Sequence, residues 1–376
     1  MVERRHSRDE GQRVRVPSSP PSVHFERRNF LAWSNACSDW QVFLDEVRAA
    51  RADLRCSISG AWFRGHSDGA HALVPSLFRQ PMRIDPDFKA EWLQCRGMID
   101  SYKREFAAKR RELERCAAIE DESRRRDEQS RVRGEMQQLR RTTAKTRDQL
   151  KPIELVPSGE RDAYVEWCFR SGKKDEPSWL VLAEMQHSGV PTRLLDWSES
   201  LLVSLFFATA RVRAAVDAKW LRDSVALESL TGDPSTLELT YSSAEHHPTV
   251  WVFNPYRASE RATDRLRIWD LSRDRFDYYQ AFVVQREWPF EKAIPAFSPW
   301  SSGRIAAQQG LFTVAGYDRR PMDEQLGPTC LRKVVLTPGA ALYAVRFLRE
   351  VGGFDHFSLY RDLDSLATGL KRKFFH

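Results

Sequence analysis

The sequence predicts an α+β fold: a small curved or split mixed sheet flanked by helices, with an antiparallel helical hairpin inserted into it. Three observations carry that expectation. Short apolar runs of strand length (AWFRG at 61–65, TRLLDW at 192–197, TVWVFNP at 249–255, LRKVVL at 331–336) are bounded by Gly, Pro or polar turn residues. The segments between them place apolar residues at helical spacing. Residues 107–150 then change character, being dominated by Arg, Lys, Glu, Asp and Gln, with no Pro and a single Gly.

Taken in order, residues 1–24 are rich in Arg, Ser and Pro and bury too little apolar surface to offset their ordering entropy. A disordered basic tail is expected there, ahead of one domain over 25–376. Ser38 or Asp39 caps a helix with Trp40, Phe43, Leu44 and Val47 on one face. After the first strand, SDG at 67–69 turns the chain, and LVPSLFR at 73–79 is extended or turn-like around Pro75. Trp92, Cys95, Ile99, Tyr102 and Phe106 mark a helix. In the charged stretch Leu113, Cys116, Val132, Met136 and Leu139 form a thin apolar stripe, which suits two antiparallel helices reversing near 120–130. That insert is placed at 107–158, with one long projecting helix as the alternative. Helices follow through Trp167 and from Trp179 to Gln186; Gly189 and Pro191 then break the chain before the strand TRLLDW. Ser198 is expected to cap an apolar helix carrying Leu201, Leu202, Leu205, Phe206 and Ala208. RIAAQQGLFTVAG at 304–316 reads as a turn and a strand, Tyr343 to Val351 as a helix, and 359–374 as one last amphipathic helix.

Composition narrows the function. A hydrophobic share of 41% with 12 Trp supplies a packed core. No apolar run reaches membrane-spanning length, and MVERRHSRDEGQ lacks the apolar centre of a secretory signal. The six Cys are scattered without C-x-x-C spacing, which fits a reducing compartment and a cytoplasmic location and argues against zinc. A net charge of +7 gives mild affinity for polyanions. The basic stripe with interleaved aromatics that marks a nucleic-acid reader is missing, so a nucleic-acid partner is only weakly indicated. Phosphate-loop, nucleophile-elbow and zinc-protease motifs are absent, and the adjacent His246 and His247 would face opposite ways on a strand, so no metal is expected.

The polar candidates cluster at strand ends and turns. Arg64, at the end of the first strand, suits a phosphate or carboxylate held by two parallel bonds; a structural ion pair with Asp196 is the alternative. Gly65 behind it would let a ligand approach the backbone, and His66 would add a contact. Gln186 and His187 precede a Gly-x-Pro turn, where His187 suits a general base or a phosphate contact. Thr192, Arg193, Asp196 and Trp197 follow closely. Period two sends Arg193 and Asp196 to opposite sides, so one of them is structural, while Trp197 either stacks a ligand ring or joins the core. Gln308 and Gln309 before Gly310 offer amides to a base or ribose, or bond their own loop, with Arg304 beside them as an anion clamp.

WFRGHSD at 62–68, LVPSLFR at 73–79, QHSGVPTRLLDWSESLLVSLFFA at 186–208, VWVFNP at 250–255, RIAAQQGLFTV at 304–314 and LYRDLDSLATGL at 359–370 together resemble the FRG domain, in the order of that family. The resemblance implies a part of a bacterial or phage-related system, in a defence or toxin-like role. It also implies a distant likeness to the ADP-ribosyltransferase fold, with NAD as substrate and no resident cofactor. In that likeness Arg64 ends the first strand, the DWS segment leads into the apolar helix, and Gln308 or Gln309 stands where the fold places a Glu. That Glu binds a ribose hydroxyl and stabilises positive charge, and an amide supplies only hydrogen bonds. The alternative is a non-catalytic module that binds a protein or nucleic-acid partner through the hairpin.

Overall fold

The computed structural model describes residues 27–56, 60–223, 237, 241–271, 273, 277–298 and 303–374. The expected tail at 1–24 lies outside the described residues. The chain runs α1 (Arg27–Asp53), β1 (Trp62–His66), α2 (Lys89–Cys116), α3 (Glu122–Leu155), α4 (Ser158–Ser171), α5 (Ser178–His187), β2 (Leu194–Ser198), α6 (Leu201–Ala208) and α7 (Ala210–Asp223). It continues through β3 (Thr249–Phe253), α8 (Pro255–Thr263), β4 (Trp269–Asp270), a π-helical turn (Tyr279–Val284), β5 (Ile294–Phe297), α9 (Gly303–Ala307), β6 (Gly310–Val314), α10 (Met322–Leu326), β7 (Leu331–Val335), α11 (Pro338–Glu350), α12 (His356–Tyr360) and α13 (Leu363–Phe374).

The described strands form one mixed sheet of seven in the order β4-β5-β6-β2-β1-β3-β7, antiparallel except between β4 and β5. The α+β class with a split sheet therefore holds. The split has a definite place: β1 and β2 share one register pair, Phe63 opposite Ser198, whereas β1 and β3 share five and β2 and β6 share five.

Register assigns the core. Phe63, Val250, Val252 and Val334 lie on one face and pack with α1, α6, α7 and α11. Leu194, Phe312, Val314, Ile294 and Ala296 continue the same face beyond the split, under α4, α5 and the π-helical turn. Trp62, Trp197, Leu195, Trp251, Phe253 and Leu311 fill the opposite face with α8 and α10. Two apolar clusters thus share one face, with a seam between them at β1 and β2.

Local chemistry explains several boundaries. Ser200, not Ser198, caps α6, its hydroxyl accepting from the Val203 amide at 3.4 Å, while Ser198 Oγ accepts from the Ser200 amide at 3.0 Å. β3 ends where Asn254 caps α8 and Pro255 takes the first turn. The tail is two helices rather than one, because Arg361 is left-handed (φ 56°) and closes α12. The short α9 occupies what the sequence suggested was a turn.

α2 and α3 pack antiparallel, reversing at 117–121 with Asp121 capping α3. Lys109 meets Glu135 at 2.5 Å, Arg131 meets Glu112 at 2.7 Å, and Arg96 meets Glu154 at 2.5 Å. These pairs are partly exposed and screened by solvent, so each contributes little individually. The root of the pair is different. Cys95, Ile99, Leu150 and Ile153 form a buried cluster, and Leu155 is 1% exposed in the main core. The main-chain carbonyls of Glu154 and Leu155 accept from Arg319 and Arg193.

Replacing residues 105–141 by a short Gly/Ser turn should leave one cooperative thermal transition, within about 4 °C of the parent. Extending the deletion through Leu155 should abolish it, because that cut removes core side chains and the Arg193 acceptor. Circular dichroism melts of the two deletions check this; loss of the cooperative melt in the shorter one would make the distal hairpin part of the core.

Candidate functional site

The seam between β1 and β2 opens into a cleft of about 170 Å³. It is lined by Arg64 from β1, Asp196 and Ser198 from β2, Gln186 and His187 from the end of α5, Ser204 and Phe207 from α6, and Arg304 and Gln308 from α9 and the turn after it. Asp196 is the one acid among the described lining residues.

Arg64 begins on the Trp197 face of the sheet by strand alternation, yet its guanidinium enters the seam. Its Nη1 donates to the Asp196 main-chain oxygen at 2.6 Å and lies 3.6 Å from the Asp196 carboxylate. Its Nε donates to His66 Nε2 at 3.1 Å. The guanidinium so occupies a carbonyl that a fuller β1–β2 ladder would have used. Burial lowers the Arg64 pKa and the Asp196 charge opposes that, but arginine starts so basic that it stays cationic.

His66 is 6% exposed and sits behind Arg64 rather than in the cleft. Its pKa falls to about 3, first through burial and then through the Arg64 charge, with the His71 backbone opposing. His187 is also shifted down, by burial first, while Asp196 pulls the other way. Both imidazoles are neutral at pH 7. His187 Nε2 and Arg304 Nε are buried without a hydrogen-bond partner among the described residues. Arg304 Nη1 donates to the His187 carbonyl at 3.1 Å, and its guanidinium lies 4.5 Å from the Tyr360 ring centre.

Gln186 Nε2 donates to Asp196 Oδ2 at 3.0 Å, and the Thr192 hydroxyl donates to Gln186 Oε1. Thr192 is 1% exposed, so its part is to orient Gln186 from outside the cleft. Arg193 is placed away from the cleft: it is fully buried, donating to both Glu160 oxygens at 2.6 and 2.5 Å and to the Leu155 and Ala315 carbonyls, over the Phe282 ring. Tyr278 OH donates to the same Glu160 at 3.0 Å. Of Arg193 and Asp196, Arg193 is the structural one. The Trp197 indole belongs to the core, stacked on Phe253 at 4.6 Å with Nε1 donating to Thr313 at 3.2 Å.

The two glutamines part company. Gln308 lines the cleft, but its side-chain amide donates to the Leu359 carbonyl at 3.3 Å, and its main-chain carbonyl accepts from Ser198 Oγ at 2.7 Å. Gln309 is left-handed (φ 46°), accepts from the Glu199 amide through its carbonyl at 3.3 Å, and is not among the lining residues. Sequence reading missed Ser198, Ser204 and Phe207 as lining residues. The strand alternation that selects Asp196 also selects Ser198, and Ser204 and Phe207 lie one turn apart on α6. Glu160 was missed too, and nothing in its local pattern announces it.

Gly65 lines the cleft and has a packing reason besides. A Cβ there would lie 1.9 Å from the Ser204 main-chain oxygen and 2.6 Å from the Ala208 amide nitrogen. Helix α6 therefore rests directly on β1, and only Gly fits beneath it.

A sheet split beside a Phe-Arg-Gly strand, with a polar cleft walled by a Gln-His turn and an Asp-Trp-Ser strand, defines a class of mixed α+β domain. A family model, the FRG domain, matches residues 59–216, so the chain carries an FRG domain over that stretch. Arg64, Gln186, His187 and Asp196 fall within the match; Arg304 and Gln308 lie beyond it. No curated protein and no solved structure matches the chain. Among the described residues, no helix is long and apolar enough to cross a membrane, and no cluster of metal-binding side chains occurs.

Two outcomes are expected. Gly65→Ala should destabilise by about 3 kcal/mol or more, since backbone rather than a mobile side chain blocks the new methyl, and denaturant titration reads this. His66 binds a proton more readily unfolded, near its ordinary 6.5, than folded, near 3, so its contribution is present above pH 6.5 and is lost as pH falls. From pH 7 to pH 5 that loss is about 2 kcal/mol, and His66→Gln should lack it. Parallel pH–stability curves for the two proteins would remove the buried neutral imidazole from the argument.

Proposed function

We propose that the cleft binds a nucleotide-type ligand, with Arg64 holding a phosphate. The observation that carries this reading is convergence: Arg64, Gln186, His187, Asp196, Arg304 and Gln308, drawn from three stretches more than a hundred residues apart, line one small cleft. Two cations face one carboxylate there, a balance that favours an anion. The nitrogens of His187 and Arg304 that lack a partner among the described residues add hydrogen-bonding capacity.

The reaction implied by the resemblance is ADP-ribosyl transfer from NAD. The bond from the ribose anomeric carbon to the nicotinamide nitrogen breaks, nicotinamide leaves with the bonding electrons, and an acceptor oxygen or nitrogen bonds that carbon and loses its proton. In this chain neutral His187 suits the proton, Arg64 a phosphate, and Gln308 a ribose hydroxyl. A role in bacterial defence belongs to the same reading. A second reading, a partner-binding module built on α2 and α3, is favoured by the long exposed charged surface of that pair. Gln308 and Gln309 standing in place of an acid favour it too.

Arg64→Lys should weaken ADP-ribose binding tenfold or more, about 1.4 kcal/mol, because an ammonium lacks the planar fork. Thermal melts of both proteins with and without NAD or ADP-ribose, together with nicotinamide release, test the reading. Equal ligand shifts in both proteins would take Arg64 out of the site. No shift and no nicotinamide release in the parent would leave the partner-binding reading in its place.

A further inference from the structure

Arg64 has two fixed contacts, and neither is to a carboxylate oxygen at hydrogen-bond distance. Nη1 bonds the Asp196 main-chain oxygen at 2.6 Å and Nε bonds His66 Nε2 at 3.1 Å. The Asp196 carboxylate stands off at 3.6 Å, with its side chain 47% exposed and one oxygen taken by Gln186 at 3.0 Å. Nη2 has no partner among the described residues, and Arg64 lines the cleft.

Two buried arginines of this protein, Arg193 and Arg286, are held differently, while a third, Arg213, also meets a histidine ring nitrogen, His356 Nε2 at 3.3 Å. Arg193 is gripped by both oxygens of Glu160, and Arg286 Nη2 by Asp85 at 2.5 Å. Such carboxylate clamps fix a guanidinium and cancel its charge together. A neutral imidazole fixes the same Nε–H while leaving the charge available. The ring itself is held at 6% exposure, with the His71 ring 6.3 Å away. We propose that His66 is a positioning residue: its imidazole, as an uncharged acceptor for Arg64 Nε, aims the guanidinium into the cleft without neutralising it. This rests on reading the cleft as an anion site, but the orientation of Arg64 can be tested without any ligand. The low pKa of His66 supports the idea, since the acceptor lone pair stays free across the physiological range.

The test uses the full chain with nitrogen-15-labelled arginine. The Arg64 Nε–H resonance, assigned by its loss in Arg64→Lys, should exchange slowly with water in the parent. His66→Leu, which removes the acceptor, should speed that exchange tenfold or more. His66→Gln, whose amide oxygen can accept, should restore it to within about threefold of the parent. Titration calorimetry then reads the consequence: His66→Leu should weaken ADP-ribose tenfold or more while leaving uncharged adenosine within about twofold, and His66→Gln should recover most of the loss. A merely structural role predicts that the two variants fall together, or that adenosine falls with ADP-ribose, and either result overturns the proposal. So does an Arg64 Nε–H that exchanges fast in the parent. If exchange follows the expected order while the parent binds no nucleotide, His66 stands as the residue that positions Arg64 and the nucleotide reading alone fails.

Discussion

One missing stretch of ladder organises the molecule. β1 and β2 are neighbours in the sheet yet meet at a single register pair, Phe63 with Ser198. A strand edge that is buried but unpaired leaves carbonyls and amides whose desolvation is costly, on the order of 1–3 kcal/mol each. Arg64 meets part of that cost by donating to the Asp196 carbonyl from inside the gap. The same guanidinium that completes the backbone bonding is therefore the cation exposed to the cleft. Structure and chemistry share one side chain, and the seam could not be closed by further pairing without losing both.

The Phe-Arg-Gly triplet divides its labour along those lines. Phe63 turns into the core under α1, α6 and α11; Arg64 fills the seam; Gly65 lets the backbone of α6 lie against the strand. Because α6 supplies Ser204 and Phe207 to the cleft, its close approach over Gly65 also sets the height of that wall. The second motif divides similarly. Arg193 fastens α4 and the end of α3 to the sheet through Glu160 and the Leu155 carbonyl, while Thr192 orients Gln186 and Gln186 orients Asp196. A run of polar residues that looks like one site is a site together with the bolts behind it.

That division explains what could be read from the sequence. Apolar alternation located β1, β2, β3, β6 and β7, because each buries one or both faces and a shift of one residue would exchange them. The charged composition of 107–150 exposed the hairpin, since only a narrow stripe there could be buried. Helices α8 and α10 and the short β4 and β5 went unassigned, because each is too brief for its periodicity to stand out. The last helix broke in two for a local reason, the left-handed Arg361, that no residue type announces. Within the site, Arg64, His187 and Asp196 were visible because polar residues beside turns and Gly are conspicuous among apolar neighbours. The roles of Arg193 and Gln309 were hidden because they depend on partners distant in sequence: Glu160 for one, the Glu199 amide for a main-chain carbonyl of the other.

The charges of the cleft constrain what chemistry it can do. Arg64 and Arg304 are permanent cations, His187 is held neutral by burial, and Asp196 is the one described acid. An anionic group entering such a space meets favourable potential from two sides. Positive charge developing on a sugar ring would instead find only Asp196 to stabilise it, and one oxygen of that carboxylate is already shared with Gln186. One N–H of the Gln308 amide donates to the Leu359 carbonyl, so the side chain adds hydrogen bonding but no charge. If the cleft does cleave a glycosidic bond, the electrostatic work falls on Asp196 from β2 rather than on the turn before β6. Binding an anion would need no such help: a guanidinium with an amino group unengaged among the described residues, a second arginine and a neutral imidazole line the same cleft.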